Sequence, residues 1–180
     1  GGHAYIIKKG QRFITNSAIA SMGYDLPAAI GAWTASRDKG CYSQGGDRSG
    51  EDLILVTGDG SMQMNLQELQ TIIHHRMGIK IFVINNGGYH SIRQTQKNFF
   101  GEPLIGIGVD SGDLSFPALD KLAAAYGYPY VSARHNSELG EAVEKTLAAE
   151  GPVICEVFVS MDQNFEPKSS AKRLPDGTMV

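Results

Sequence analysis

At 180 residues with 42% apolar side chains, the chain is long enough for one well-cored domain and too short for two of ordinary size. Sixteen basic against 19 acidic residues leave a formal charge of -3 without a basic stripe, which argues against nucleic acid or an anionic membrane surface and favours a small-molecule site. No apolar run reaches the roughly 18 residues of a membrane span, and Cys41 and Cys155 stand outside any C-x-x-C or Cys/His cluster, so a reduced, cytoplasmic setting is expected.

Gly1-Gly2-His3-Ala4 lacks the charged-then-apolar plan of a signal peptide, and the start without Met leads us to expect a fragment of a longer protein. Asp25 can cap a first helix whose opening turn contains Pro27 and whose apolar positions Leu26, Ala29, Ile30 and Trp33 follow helical spacing. Cys41 to Gly50, rich in glycine and hydroxyl or amide side chains, reads as a surface loop. Leu53 to Val56 is a short, continuously apolar run ending in Thr57-Gly58-Asp59-Gly60, as expected for a strand covered on both faces of a parallel sheet. Asn65 followed by Glu68 has the form of a capping box, and Leu66, Leu69, Ile72, Ile73 and Met77 form one helical stripe. His74 and His75, late in that helix and without other zinc-spaced ligands, read as a solvated helix end. Ile79 to Ile84 is the next apolar, β-branched strand.

The second half repeats the alternation. Phe116, Leu119, Leu122, Ala123 and Tyr126 predict a helix ended by Gly127, Tyr128 to Ser132 a strand, and Leu139, Ala142, Val143, Thr146 and Leu147 a helix ended near Gly151. Val153 to Val159 supplies a last strand with Glu156 as its one charged residue, and 160–180 reads as an irregular C-terminal arm on a single domain covering 1–180. The expected fold is α/β: a three-layer α/β/α doubly wound arrangement with a mostly parallel sheet, whose ligands sit beyond the carboxyl ends of the strands.

Asp59 closes one such strand, and Asn86 closes the next 27 positions later. Gly58 and Gly60 allow a sharp turn and close approach of a ligand, and Gly87-Gly88 allows another. Magnesium takes oxygen ligands and shares its octahedron with phosphate and water, so one carboxylate, one amide and one backbone carbonyl suffice. Ser61 and the amides after it can donate to phosphate at the start of the following helix. Singly, Asp59 and Asn86 read as turn and cap residues and Met22 as a core gap-filler; the pair at this spacing points to a metal and diphosphate site.

Gly58-Asp59-Gly60 with Asn85-Asn86 at this distance resembles the signature of thiamine diphosphate-dependent enzymes. Ser61-Met62-Gln63-Met64-Asn65-Leu66, Ser21-Met22-Gly23-Tyr24-Asp25-Leu26-Pro27 and Asn85-Asn86-Gly87-Gly88-Tyr89 are similar to the acetolactate synthase branch, in order from about Gly10 to Val159. The resemblance implies a C-terminal diphosphate-binding domain in which Asp59 and Asn86 ligate Mg²⁺ through side chains and Gly88 through its carbonyl. It implies phosphate donors among the amides near Gly60, Ser61 and Tyr89, and Met22, beside Ser21, beneath the bent cofactor. The carbonyl of Ala20 would accept from the cofactor's amino group.

The same resemblance implies decarboxylation of a 2-keto acid, pyruvate in this branch, and ligation of the two-carbon unit to a second carbonyl compound. A non-oxidative decarboxylase is the alternative within the family, and a non-catalytic binding or oligomerisation module the alternative outside it. None of this chain's glutamates falls where the family places its activating acid, so no catalytic residue is expected here; that acid belongs to the pyrimidine-binding domain of a second subunit in a homodimer or homotetramer. FAD would concern only a central domain outside this chain. Arg93, Gln94 and Gln96 read either as substrate contacts or as exposed helix residues, and Thr95 stands where the synthases commonly carry an aromatic, which favours a different acceptor.

Overall fold

The computed structural model describes residues 4–37, 53–163 and 174–178. The expected Cys41 to Gly50 loop, and most of the expected arm, lie outside the described residues. The order is α1 (Asp25–Arg37), β1 (Leu53–Gly58), α2 (Asp59–Gln63), α3 (Glu68–His74) and β2 (Ile79–Asn85). Then come α4 (His90–Phe99), α5 (Leu119–Tyr126), β3 (Tyr130–Ala133), α6 (Asn136–Ala148) and β4 (Val153–Phe158). The four strands pair in parallel in the order β1-β2-β4-β3. Parallel neighbours need crossovers, and the helices supply them.

Period-two alternation along the strands divides the core between two faces. Ile79, Ile81, Val83 and Ile154 meet Leu26 and Ala29 of α1, Leu69 and Ile72 of α3, and Leu119 and Ala123 of α5 on one face. Cys155 and Ala133 meet Ala142 of α6 on the other, with Phe82, Val131 and Val157 packed alongside. Buried Lys80, on β2, sends its ammonium to the carbonyls of Ala149 and Gly151, closing the carboxyl end of α6 with a cation. Among the described residues, no helix is long and apolar enough to cross a membrane.

The three-layer α/β reading therefore holds, with local departures that have physical reasons. β1 is an edge strand: Ile54 and Val56 remain 56% and 63% exposed, because α6, the helix on their face, packs over β3 and β4. The Asn65–Glu68 capping box does not form, since the Asn65 amide donates instead to the Gly23 carbonyl at 2.6 Å and Glu68 accepts from the Thr71 hydroxyl. Phe116 lies before α5, as Pro117 disfavours helical backbone at the residue preceding it. Tyr128 also precedes its strand, with its ring in the core and its hydroxyl donating to the Leu69 carbonyl.

Candidate functional site

Parallel pairing of β1 with β2 sets Gly58 opposite Ile84, so Asp59 and Asn86, 27 positions apart in sequence, leave neighbouring strand ends. Asp59 is 7% exposed. Its Oδ1 accepts from the Gly60 N–H at 2.9 Å and its Oδ2 from the Gly88 N–H at 3.0 Å, tying the two strand ends together. Burial raises its carboxyl above the ordinary carboxylate range, against the N–H bonds of Gly60, Gly88 and Gly87 and the charge of Arg93, which all pull down. The side-chain oxygen of Asn86 is buried without a hydrogen-bond partner. A buried polar atom left unpaired costs free energy, so it marks a place where a ligand is expected.

The second turn is built from glycines that a side chain could not replace. Gly88, at φ 146°, would place a Cβ 2.0 Å from the Ile107 carbonyl oxygen, and Gly108, at φ 156°, would place one 2.1 Å from the Gly87 oxygen. The two glycines cross as an antiparallel bridge. Tyr89 then donates its N–H to the Ile107 carbonyl at 2.7 Å. Gly60 likewise gives its N–H to the Asp59 carboxylate. The Gly88 carbonyl accepts from the His90 N–H at 3.1 Å, which occupies one of its two lone pairs.

Met22, Gly60 and Tyr89 converge. A Cβ on Gly60 would stand 2.5 Å from the Tyr89 ring and 3.6 Å from the Met22 methyl. Met22 is 41% exposed, not buried as a gap-filler would be. Its loop is fastened to α2, because the Gly23 N–H donates to the Ser61 hydroxyl at 3.1 Å and the Asn65 amide holds the Gly23 carbonyl. Ala20 has φ 54°, a left-handed conformation that a non-glycine residue adopts at some cost in strain, and exposed Ser21 follows it.

Arg93 fits neither role read from the sequence. It is 1% exposed, and its guanidinium grips Asp110 through Nε at 2.8 Å and NH2 at 2.9 Å while reaching the carbonyls of Asn86 at 3.4 Å and Gly87 at 3.2 Å. Gln96 instead pairs through its amide with both backbone groups of Ile105. A second network escaped the sequence: Glu156, buried on β4, accepts from the Asn85 amide at 2.6 Å and from the Tyr130 hydroxyl. Asn85 in turn accepts from the Gly87 N–H at 3.0 Å. The one signal was a lone charge within an apolar strand, which demands a buried partner.

A cleft of about 330 Å³ runs along these strand ends, with Asp59, Asn85, Gly87, Phe116, Tyr130 and Glu156 among its lining residues. Among the described residues, no three His, Cys, Asp or Glu side chains gather as a metal cluster. The donor set at the two turns is one carboxylate, one amide oxygen and a backbone carbonyl, a hard-oxygen set that fits Mg²⁺.

Residues 1–157 match the family model described as thiamine pyrophosphate enzyme, C-terminal TPP binding domain. The chain is 31% identical to acetolactate synthase of Arthrospira platensis over 157 residues, covering 87% of this chain and 24% of that protein. It is 33% identical to the acetolactate synthase large subunit of Cyanidium caldarium over the same shares, and 29% identical to chloroplastic acetolactate synthase 2 of Nicotiana tabacum over 91% of this chain and 23% of that one. It thus spans about a quarter of the length of these curated relatives. With its strand-end turns at Asp59 and Asn86 inside the matched region, the chain belongs to the thiamine pyrophosphate enzyme family, as its C-terminal TPP binding domain.

Proposed function

We propose that this chain holds the diphosphate end of thiamine diphosphate with Mg²⁺, as the C-terminal part of an acetolactate synthase-like enzyme. The supporting observation is the meeting of a buried Asp59 carboxylate with the buried, unpaired Asn86 side-chain oxygen at adjacent strand ends. Asp59 and Asn86 would ligate the metal through side chains and Gly88 through its remaining carbonyl lone pair, with the Ser61 amide turned to phosphate. Met22, set over Gly60 beside the Tyr89 ring, would provide the apolar shelf under the cofactor, and the strained Ala20 would offer its carbonyl. When bound, thiamine diphosphate supplies the electron sink for decarboxylating a 2-keto acid such as pyruvate and passing on its two-carbon unit. The residues of this chain would bind and orient, and among the described ones none is assigned to activate the cofactor.

We assign 1–180 to one diphosphate-binding domain, with 160–180 as its arm, in a cytoplasmic homodimer or homotetramer. The pyrimidine-binding domain of a second subunit would cover the exposed Met22 and Tyr24 and bring the activating glutamate, while any FAD would sit in a separate central domain. Calorimetry on the full-length protein tests the reading: thiamine diphosphate with Mg²⁺ binds the wild type, and Asp59→Ala abolishes the metal-dependent part. Binding that is indifferent to Asp59→Ala defeats it in favour of an inert module. Assay with pyruvate and a carbonyl acceptor separates ligation from release of free aldehyde, the decarboxylase outcome.

A further inference from the structure

Two successive peptide planes form the floor of the Asn86–Gly88 turn, and both are held from opposite sides. In a planar trans peptide the C=O and the next N–H point in opposite directions, so fixing one aims the other. The Asn86 carbonyl is drawn to Arg93 NH1, and the Gly87 N–H on the far side of that plane donates to Asn85 Oδ1. The Gly87 carbonyl is drawn to Arg93 NH2 and the Val109 N–H, and the Gly88 N–H opposite donates to Asp59 Oδ2. Glycine at both 87 and 88, with φ 72° and 146°, makes rotation of these planes sterically cheap. A rotated Gly87–Gly88 plane would point a carbonyl oxygen at the Asp59 carboxylate and turn the Gly88 N–H away.

We infer that Arg93, locked by Asp110, is a positioning residue that presets the Asn86–Gly88 turn for its metal. The inference rests on the metal reading of that turn. A planar guanidinium suits the task because its fork holds Asp110 with two parallel bonds while the remaining N–H groups reach two carbonyls. A lysine ammonium can keep the charge but not that geometry. Asp110 and Val109, following Gly108, join the 107–110 segment to the same turn, so that segment and the metal-holding residues are set as one unit.

The test uses Mn²⁺ as a spin-active stand-in for Mg²⁺, titrated into the full-length protein with thiamine diphosphate present and followed by electron paramagnetic resonance. Arg93→Lys is expected to weaken Mn²⁺ binding by about 10- to 100-fold, the usual effect of removing a group that orients a metal ligand. Asp110→Asn should weaken it in the same direction by less, and remains informative if Arg93→Lys does not fold. Gln96→Ala, which frees Ile105 on the same helix face without touching the turn, should leave the affinity unchanged. Hydrogen exchange in the metal-free protein gives a second readout, with the Gly87 and Gly88 amides exchanging faster in Arg93→Lys. Wild-type affinity and exchange in Arg93→Lys, with Asp59→Ala having lost the metal, overturn the positioning role and leave the functional reading standing. Retention of Mn²⁺ by Asp59→Ala overturns the functional reading, and the exchange rates then decide whether Arg93 sets the turn.

Discussion

Burial raises the Asp59 carboxyl above the ordinary aspartate value, and the Gly60, Gly88 and Gly87 N–H groups and the Arg93 charge offset only part of that. A folded-state pKa above the ordinary aspartate value means that the folded chain holds the proton more tightly than the unfolded one. Stability is therefore gained as pH falls through the raised value, and the ionised carboxylate is a cost at neutral pH. In metal-free protein, the stability of wild type relative to Asp59→Ala should rise as pH drops from neutral toward the ordinary carboxylate value, checked by denaturant melts across that range. Mg²⁺ at neutral pH should act in the same direction, by neutralising the charge. Asp110 has the opposite sign, since its side-chain bonds to Arg93 hold its carboxyl below the ordinary range. Its stabilisation is complete above the ordinary carboxylate value and lost as pH falls through the lowered one. Asp110→Asn should cost about 3 kcal/mol at neutral pH, the lower end for unpairing a buried charge because Asp110 itself is partly exposed, and the deficit should shrink in acid.

Between elements, the decisive contact is the crossing of the Gly87–Gly88 turn with Ile107–Gly108. Gly88→Ala or Gly108→Ala must drive a Cβ into a carbonyl oxygen at about half of normal contact distance, besides forcing a φ that L side chains avoid. Each should cost at least about 1–3 kcal/mol in backbone strain, together with the metal response. Gly140→Ala, in the middle of α6 with nothing within 4 Å of the added methyl, should instead stabilise by about 0.5–1 kcal/mol. Thermal melts of the three variants separate the cases. The β1, α3 and β2 elements were legible because their apolar periods are local, and the place of Asp59 and Asn86 at neighbouring strand ends was legible because each follows such an apolar run. Arg93 was not, because its helix α4 is mostly polar, with Ile92 and Phe99 its apolar residues, and its partner Asp110 lies 17 positions away. The exposed Ile54 and Val56 misled for the same reason: a continuous apolar run says that both faces can be covered, and which helix lies over which strand is a long-range outcome.

The whole molecule is one-sided around its site. α1, α3 and α5 cover one face of the sheet and α6 part of the other, while Met22, close to Gly60, and Tyr24 stand exposed. Under the proposed function such a wall would hold phosphate and metal, and the two buried carboxylates among the described residues already have other partners. Asp59, the buried carboxylate on this wall, is assigned to the metal, and Glu156 is engaged by Asn85 and Tyr130. The 180-residue chain alone, given Mg²⁺ and thiamine diphosphate, should therefore release no carbon dioxide from pyruvate above the protein-free rate, whereas the full-length protein should. The same isolated chain should still be stabilised by Mg²⁺ with inorganic diphosphate, because the groups assigned to that end of the ligand all lie within it, and Asp59→Ala should remove the stabilisation. Turnover by the isolated chain would place an activating acid among its own side chains. A chain stabilised by neither ion would mean that the turn takes its metal-holding shape only when the second wall is in place.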